Sequence, residues 1–525
     1  MSSGTPLRIR RSITDLQDDY TKGNKKPLED VMRAWKGIKD LPPDNPRSFF
    51  MLGGYHGEPF RGAGWGNSSY WGGYCNHGNV LFPTWHRVYL LKLEEALRSI
   101  AGCADVSLPF WDETSDDSLK SGIPWALTQE TFVLDGQTIA NPLRSFVFTA
   151  NITDNIGSDD PSYSKPKGYE TVRYPLSGLV GPSDIVKTKA HNAQFPDPAT
   201  NVQLLNQNII AWLTSVIVVN GQVIPTHVAK KFQDCLNAPN YTVFSNTTSA
   251  AQWNENITSG AGRVVPLESP HNDIHLAVGG FDVPSQGDFS PIAGANGDMG
   301  ENDTAGLDPI FFFHHCFIDR VFWLWQKKHG CEDKLEIIEQ YPGTNSVDNQ
   351  GPTPGVAPNS WLTLASPLDP FKKLDGGKER TFTSLDCINI EKQLGYTYGP
   401  GSLDAQAAAL AAAAPAPGHS TKVVRVAGIN RAAIRGSFLV SAFATIDGKK
   451  QHLGTEAVLS RWHVDGCANC QTHREVKAFI GLQGLPQAVA DAAHYDVEVR
   501  TRDGLLSQPR AIAAAPRRPF HFEVR

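Results

Sequence analysis

The sequence has 525 residues, of which 40% are hydrophobic and 19% are charged. A chain of this length and composition can hold more than one domain and bury a sizeable core, which excludes a wholly disordered protein. The 48 basic and 54 acidic residues give a net charge of −6 without a long run of one sign, so we expect neither nucleic acid nor a membrane surface as a partner.

The N-terminal residues contain a basic stretch, Arg8–Arg11, that no apolar segment follows. We therefore expect no secretory signal peptide. No window approaches the roughly 18 uninterrupted apolar residues that a membrane-spanning helix needs. The eight cysteines are scattered along the chain, which is typical of reduced thiols rather than of a disulfide scaffold. These features predict a cytoplasmic protein.

Two segments in the first 400 residues have the apolar spacing of helices. Val80–Ile100 carries apolar residues at helical intervals, and Pro309–Lys328 is apolar almost all round, as expected for a helix buried on every side. Long polar loops separate such segments. The pattern predicts a mainly α-helical domain over residues 1–400.

The sequence changes in character after residue 400. Residues 401–420 are rich in alanine and end in a Pro-Ala-Pro-Gly break, which predicts a linker. Short Val- and Phe-rich runs follow, one of them over residues 456–464, and Asp-Gly pairs at 447–448 and 503–504 predict hairpin turns. Residues 421–525 therefore predict a separate all-β, sandwich-like domain.

Seven of the 16 histidines lie in three apolar, aromatic contexts, where an unpaired imidazole would be unfavourable. The three groups are His56, His77 and His86; His271 and His275; and His314 and His315. The second pair is spaced four residues apart, so that on a helix both rings share one face and can meet one metal ion. Imidazole suits zinc, copper, iron and nickel.

An aromatic residue stands one helical turn before a histidine in two places. Phe82 precedes His86, and Phe311 precedes His315, by four residues each. The repeat indicates two similar half-sites and favours His315 over its neighbour His314 as a ligand. A lone histidine pair is more often a surface or capping feature, but three such groups together predict a dinuclear site held by histidines alone.

These residues resemble the type 3 dicopper family, which comprises tyrosinases, catechol oxidases and molluscan-type haemocyanins. The resemblance rests on the segments FPTWHR, HNDIH and DPIFFFHHCFIDR and spans roughly residues 5–400. Leu108–Asp112 is similar to the family's LPYWD segment, and Tyr396–Tyr398 is similar to its tyrosine motif, with which the arginines of Arg8–Arg11 would pair. Glu113 departs from the family, in which an aromatic residue often stands there.

The resemblance implies a four-helix bundle that holds two copper ions and takes O2 as co-substrate. The implied ligands are His56, His77 and His86 for one copper and His271, His275 and His315 for the other. Phe82 and Phe311 would pack against ligand rings and fix their tilt, with His314 as a neighbour of the ligands. Three protein ligands for each copper leave coordination positions open for O2.

Three residues bear on the type of chemistry within the family. Cys75 lies two residues before His77, the spacing at which fungal members form a Cys–His thioether, and the alternative is a plain buried thiol. Glu268 and Asn272 lie beside His271, and in the family such a pair orients a water that takes the proton from an incoming phenol. The pair favours monophenol hydroxylation, although Glu268 could also simply cap a helix.

Cys467 and Cys470 form a C-x-x-C motif in the C-terminal region. Alone, this motif is compatible with a redox pair, half a zinc site or two structural thiols. Long fungal tyrosinases carry a β-rich C-terminal domain over the dicopper site, in some cases with a C-x-x-C implicated in copper delivery. The resemblance therefore implies a lid or a copper-delivery domain, in which Trp462 is one candidate for a residue that plugs the pocket.

These observations predict an enzyme, a tyrosinase-like monooxygenase and polyphenol oxidase that converts small phenols such as tyrosine to o-quinones, the precursors of melanin. A catechol oxidase or o-aminophenol oxidase without monophenolase activity remains an alternative. An O2 carrier like haemocyanin is another, although carriers are secreted chains of many units. The preferred phenol and the formation of a homo-oligomer stay open.

Overall fold

The structure is a computed structural model, and the part of the chain that it describes is residues 6–57, 73–152, 164–257, 262–283, 292–345, 356–357, 360–408, 418–462, 464, 474–506 and 520–525. Part of the predicted linker (409–417) and the two cysteines of the C-x-x-C motif, Cys467 and Cys470, lie outside the described residues.

Helices dominate the first 400 residues. Their bounds are α1 (Ile13–Thr21), α2 (Lys26–Asp40), α3 (Phe49–Gly57), α4 (Phe82–Arg98), α5 (Asp116–Ser121), α6 (Ile185–Asn192), α7 (Pro198–Thr214), α8 (Val228–Cys235), α9 (Tyr241–Ser245), α10 (Thr247–Asn256), α11 (Glu268–Gly279), α12 (Ile310–His329), α13 (Asp404–Ala408) and, in the C-terminal region, α14 (Gln487–Ala492). Among the described residues, no helix combines the length and the apolarity needed to cross a bilayer.

Strands are short in the helical region and longer after residue 420. Their bounds are β1 (Arg8–Arg10), β2 (Thr131–Leu134), β3 (Gln137–Ala140), β4 (Val216–Val219), β5 (Gln222–Pro225), β6 (Pro367–Asp375), β7 (Lys378–Thr383), β8 (Tyr396–Tyr398), β9 (Val423–Asn430), β10 (Phe438–Ile446), β11 (Lys449–Val458), β12 (Glu475–Gly481), β13 (His494–Thr501), β14 (Gly504–Leu505) and β15 (His521–Val524).

The two helices expected from apolar spacing are confirmed as α4 and α12. Pro83 stands in the first turn of α4, where a missing N–H has no cost. α12 is buried along nearly its whole length and ends at Gly330, whose φ of 64° favours glycine. α12 packs against both α4 and α11, and α11 also packs against α7. These contacts bring the histidine-bearing helices together.

The first strand is tied to the end of the helical region. β1 pairs in parallel with β8. The buried guanidinium of Arg10 lies 3.7 Å from the ring centroid of Tyr396 and donates a hydrogen bond to the hydroxyl of Tyr398. Both tyrosine hydroxyls donate to Asp319 of α12 at 2.6 Å. The expected pairing of N-terminal arginines with the tyrosine motif is therefore confirmed.

The C-terminal region contains two antiparallel sheets, with strand orders β11-β10-β13-β14 and β12-β9-β15. Asp447 and Gly448 join β10 to β11 with positive φ at both positions, as the predicted tight hairpin turn requires. The second predicted turn, at 503–504, is shifted by one residue: Arg502 and Asp503 join β13 to β14, and Gly504 is already in β14, opposite Thr501. Apolar side chains from both sheets share one buried cluster.

The strand predicted over residues 456–464 is wrong over residues 459–462, which the structure does not give as strand. β11 ends early, and the following residues contact the loop before α12 instead of a neighbouring strand. The carbonyl of Ser460 accepts a hydrogen bond from the N–H of Asn302 at 3.4 Å. The N–H of Trp462 donates to Asp303 at 3.0 Å. These bonds to the helical region replace the ladder of a strand.

The helical and C-terminal regions contribute to each other's cores. Ile217 and Ile224 of the β4–β5 hairpin belong to the buried cluster of the C-terminal sheets. In return, Leu439 and Leu459 belong to the cluster of the helical region. The sequence does not predict this hairpin, because its apolar run is equally compatible with a continuation of α7. The two regions are thus packed as one unit.

Candidate metal centre

Four helices and one loop bring seven histidines into one buried region. α3 carries one near its end, α4 one in its second turn, α11 two and α12 two, and the loop before α4 carries the last; in chain order they are His56, His77, His86, His271, His275, His314 and His315. They form two clusters, the first three and the last four, and within each cluster the ring nitrogens lie within 4.8 Å of one another. The rings of His86 and His315 stack at 4.5 Å between centroids, so the clusters are adjacent.

The rings of the first cluster are oriented by backbone carbonyls. The Nδ1 atom of His56 donates to the carbonyl of Asn302 at 3.3 Å, and that of His86 donates to the carbonyl of Phe82 at 2.8 Å. The Nε2 atoms of both, and that of His77, are buried without a hydrogen-bond partner in the described part of the chain. Buried polar atoms normally have a hydrogen-bond partner. Three buried ring nitrogens without one, close together, are therefore the arrangement expected around a bound metal cation.

In the second cluster, ring nitrogens of three histidines face a common centre. The Nδ1 atom of His275 donates to the carbonyl of Met299 at 2.8 Å, and that of His271 lies 2.9 Å from the side-chain oxygen of Asn272. These bonds leave the Nε2 atoms of both rings facing the Nε2 atom of His315, at 3.1 and 3.2 Å. Three neutral imidazoles that face each other in this way match the donor set of a transition metal.

His314 has a different partner from its neighbours. Its Nδ1 atom lies 2.5 Å from the Oε1 atom of Glu113, and both side chains are fully buried. Burial raises the pKa of Glu113 well above its usual value. Sequence analysis found Glu113 only as a departure from the family pattern. The structure shows that this carboxyl group anchors the ring of His314.

Burial keeps the seven imidazoles neutral. It lowers the pKa of every one of them, to about 3 for His86 and about 4 for His275. Nearby histidines lower most of these pKa values further. Because metals bind the neutral form of imidazole, these histidines need release no proton at neutral pH to bind an ion.

Two phenylalanines connect the clusters. The ring centroid of Phe82 lies 4.9 Å from those of both His86 and His271, one in each cluster. Phe311 stacks on His315 at 3.9 Å. Both are the residues that the repeated aromatic spacing singled out in the sequence.

Glu268 is the first residue of α11 and is buried. Its Oε1 atom accepts a hydrogen bond from the N–H of Gly78 at 2.8 Å, and its Oε2 atom accepts from the N–H and hydroxyl of Thr247 at 2.8 and 2.9 Å. Burial raises the pKa of this carboxyl group, and these hydrogen bonds partly oppose the rise. Its hydrogen bonds therefore join α11 to the loop of His77 and to α10, and none of them goes to an N–H group of its own helix.

The sulfur of Cys75 is buried beside two donors. The Nδ2 atom of Asn302 and the Nη2 atom of Arg461 each lie 3.6 Å from it. Asn302 also provides the carbonyl that orients His56. The sequence did not point to Asn302, because its backbone carbonyl is the group that binds the ring of His56. Every residue type has such a carbonyl, so the sequence cannot indicate this role.

A cavity of about 150 Å³ lies between the metal centre and the C-terminal region. The helical region lines it with His77, Glu268 and Asn272, among others. The C-terminal region lines it with Arg431, the end of β11 and the start of β12. The cavity thus reaches one member of the first histidine cluster, His77.

Trp462, the candidate plug, is buried at another place. It packs against Leu179, and the guanidinium of Arg502 lies 3.9 Å from its ring centroid. Together with its hydrogen bond to Asp303, this packing anchors the C-terminal region beside the metal centre.

The chain is similar to tyrosinases over nearly all of its length. Residues 46–328 match the family described as the common central domain of tyrosinase. A tyrosinase from Hahella sp. (strain CCB-MM4) is 54% identical, with 96% of this chain and 93% of that protein covered. A tyrosinase from Aspergillus oryzae is 46% identical, with 93% and 91% covered. A solved structure of the tyrosinase from Burkholderia thailandensis at low pH, 54% identical, matches with a TM-score of 0.82 and covers 95% of this chain and 96% of its own.

Proposed function

The chain belongs to the tyrosinase family, and from this premise we propose that it is a copper enzyme that ortho-hydroxylates monophenols and oxidises o-diphenols to o-quinones with O2. The observation that carries the proposal is the pair of adjacent histidine clusters below a cavity. Two copper ions, when bound, would supply the redox chemistry with O2 that no side chain can supply.

The proposed copper ligands are three histidines from each cluster: His56, His77 and His86 for one ion and His271, His275 and His315 for the other. The unpartnered Nε2 atoms of the first set and the converging Nε2 atoms of the second support this assignment. His315 is preferred to His314 because its Nε2 atom faces those of both His271 and His275, whereas the partner of His314 is the carboxyl group of Glu113.

Glu268 and Asn272 are proposed to hold the water that takes the phenolic proton. The Oε2 atom of Glu268 already accepts two hydrogen bonds, whereas Oε1 accepts one and has a lone pair left for a water. The side-chain oxygen of Asn272 faces His271, so its amide group is free to donate to that water. The proton of the incoming phenol would then pass to a water held at Oε1, next to His77.

For the domains, we propose a four-helix-bundle catalytic domain over residues 1–400, a linker over 401–420 and a sandwich-like domain over 421–525 that covers the centre. The shared cluster of the two C-terminal sheets and the two walls of the cavity support this division. A thioether between Cys75 and His77 and copper delivery by Cys467 and Cys470 belong to the same proposal.

Oxygen uptake by the copper-loaded, full-length protein tests the proposed activity. Uptake with tyrosine and with its o-diphenol is expected, and copper-free protein is the control. Uptake with the diphenol alone would identify a catechol oxidase, and uptake with o-aminophenols alone an aminophenol oxidase. No uptake with any of these, together with reversible O2 binding, would favour the carrier.

A further inference from the structure

A second cavity, of about 270 Å³, lies between the first half of α7 and the loops around residues 144–145 and 170–176. The described residues that line it include no histidine and none from the C-terminal region. It is therefore separate from the cavity beside His77, and the helical region alone forms its wall.

The inner part of this cavity is mainly apolar. Leu205 and Tyr174 are buried there, and Phe195, Pro198 and Val202 are half-buried. An apolar cavity of about 150 Å³ is large enough for benzene, so this larger one can hold an aromatic ring with a short chain attached. Ligand sites are typically apolar cavities of this kind with a few polar groups at defined places.

Two opposite charges stand at the outer rim of this cavity. Glu170 is exposed, and Arg144 is half-buried. The Oε1 atom of Glu170 accepts a hydrogen bond from the hydroxyl of Ser145 at 2.5 Å, but in the described part of the chain its carboxylate has no ion pair. The guanidinium of Arg144 pairs with Glu130 instead, at 3.6 Å, where the two side chains are 35% and 57% exposed. Such a pair contributes little, so both charges of the rim are available to a ligand.

The cavity wall also contains an acceptor without a partner. The Nδ2 atom of Asn201 donates to the carbonyl of Phe195 at 3.0 Å. Its Oδ1 atom is buried and has no hydrogen-bond partner among the described residues. Because buried polar atoms normally have a partner, a ligand with an N–H or O–H donor would complete this wall.

We propose that this cavity binds a free α-amino acid with an aromatic side chain, of which L-phenylalanine is the simplest. The carboxylate lies against Arg144, because a guanidinium matches the two oxygens of a carboxylate. The ammonium group lies between Glu170 and Asn201, and the ring lies in the apolar part beside Val202. An amino acid carries both charges on one carbon atom, next to its side chain, as this rim and this interior require. The inference goes beyond the proposed function and does not depend on it.

The wall of this cavity is bonded to the segments that carry the second histidine cluster. The N–H of Tyr174 donates to the carbonyl of Val278 in α11 at 2.9 Å. The guanidinium of Arg173 donates to both carboxylate oxygens of Asp308, just before α12, at 2.8 and 2.6 Å. A bound amino acid thus packs against backbone that supports both helices without reaching a histidine.

Calorimetry with L-phenylalanine and copper-free, full-length protein tests the proposal. The wild type should bind it, and R144Q and E170Q should each bind it about fivefold more weakly, the effect of losing one partly solvated ion pair. V202W fills the apolar part, leaves both charges in place and should abolish binding. K187Q is the matched control, because Lys187 is an exposed cation of α6 that does not line the cavity, and it should bind as the wild type does.

Two analogues separate the roles of the charges. 3-Phenylpropionate lacks the ammonium group, so R144Q should weaken its binding and E170Q should not. 2-Phenylethylamine lacks the carboxylate, so the two variants should exchange their effects. Melting temperatures give an independent readout, since L-phenylalanine should raise that of the wild type and of K187Q but not that of V202W.

Three results would overturn the proposal. The first is no binding of L-phenylalanine to the wild type. The second is unchanged binding in both R144Q and E170Q, and the third is unchanged binding in V202W, because in either case the amino acid would bind elsewhere, for example beside His77. None of these measurements requires turnover of a phenol, so they decide the proposal even where the proposed function fails.

Discussion

The Nη2 atom of Arg461 lies 3.6 Å from the sulfur of Cys75, although 386 positions separate the two residues in the chain. The Nη1 atom of the same guanidinium donates to the carbonyl of Gly57 at 2.5 Å and to Asp303 at 3.2 Å. The side chains of Arg461 and Asp303 are 3% and 6% exposed. A buried ion pair thus holds the C-terminal region against the loop before α12, and the same guanidinium contacts the loop that leads to His77.

Replacing Arg461 with methionine should destabilise the protein strongly. Asp303 would keep a buried charge with little more than the N–H of Trp462 to satisfy it, and breaking such a pair costs about 3–5 kcal/mol. Urea unfolding measures the loss. Arg11→Met is the control, because the side chains of Arg11 and its partner Asp19 are 39% and 29% exposed, and such an exposed pair is worth about 1 kcal/mol or less. Equal losses in the two variants would contradict the buried pair's importance.

The thioether between Cys75 and His77 should form only when copper and O2 are present. Its formation removes the thiol hydrogen and one ring hydrogen, and O2 accepts both with their electrons. Mass spectrometry should therefore find the peptide lighter by two hydrogen atoms after copper loading in air. Copper-free protein and Cys75→Ser are the controls. A free Cys75 thiol in fully active enzyme would disprove the crosslink.

Neighbouring histidines of α12 should differ in their effect on copper content. His315→Asn removes the Nε2 atom that faces both His271 and His275, so we expect the bound copper to fall from two ions to one. His314→Asn should keep two ions, since Glu113 holds that ring. Atomic absorption after dialysis measures both. The reverse result would exchange the roles of the two residues.

Glu268→Gln should separate hydroxylation from oxidation. Without the carboxylate, the water at Oε1 loses its acceptor for the phenolic proton, and positioned proton transfer contributes about 10²–10⁴ in rate. We expect monophenol turnover to fall by that factor and diphenol turnover to fall much less. Thr247→Val, which removes one donor to the same carboxylate, should retain both activities. Equal losses for the two substrates in Glu268→Gln would show a purely structural role.

Stability should fall between about pH 4.5 and 8 because of Glu301. Burial, and then the charge of Asp303, raise its pKa from 4.5 to about 8, against the effect of Arg502. The folded state therefore binds this proton more tightly than the unfolded state, and stability is lost as the pH rises through that range. Glu301→Gln should raise the melting temperature at pH 8 and change it little at pH 5. The same shift at both pH values would contradict this assignment.

The helices and the histidine clusters could be predicted because their signals are local. The spacing of His271 and His275 on one helix face, and the apolar run of α12, follow from helical geometry alone. The hairpin turn at 447–448 follows from the backbone preferences of Asp-Gly, whereas the second turn lies one residue before its predicted position, at 502–503. Each of these features is complete within a few residues.

The contacts between regions could not be predicted in this way. Arg431 and Arg461 are single arginines in β-rich sequence, and nothing near them indicates a metal centre. Glu113 meets His314 across 201 positions of the chain. Such pairs depend on how α12 and the C-terminal sheets pack against other elements. The spacing of apolar residues along the sequence does not contain that information. The end of β11 was missed for the same reason, because bonds to Asn302 and Asp303 compete with the strand ladder.

The pairing of β1 with β8 also has a consequence for synthesis of the chain on the ribosome. The partner of Arg10, Tyr398, is made 388 residues later. At a translation rate of roughly 5–20 residues per second, the first strand waits on the order of 20–80 s for its neighbour. We expect chaperones to hold the nascent chain during that interval. Asp319 of α12 also depends on these tyrosines, which are made 77 and 79 residues after it, so closure of the helical core is a late event in translation.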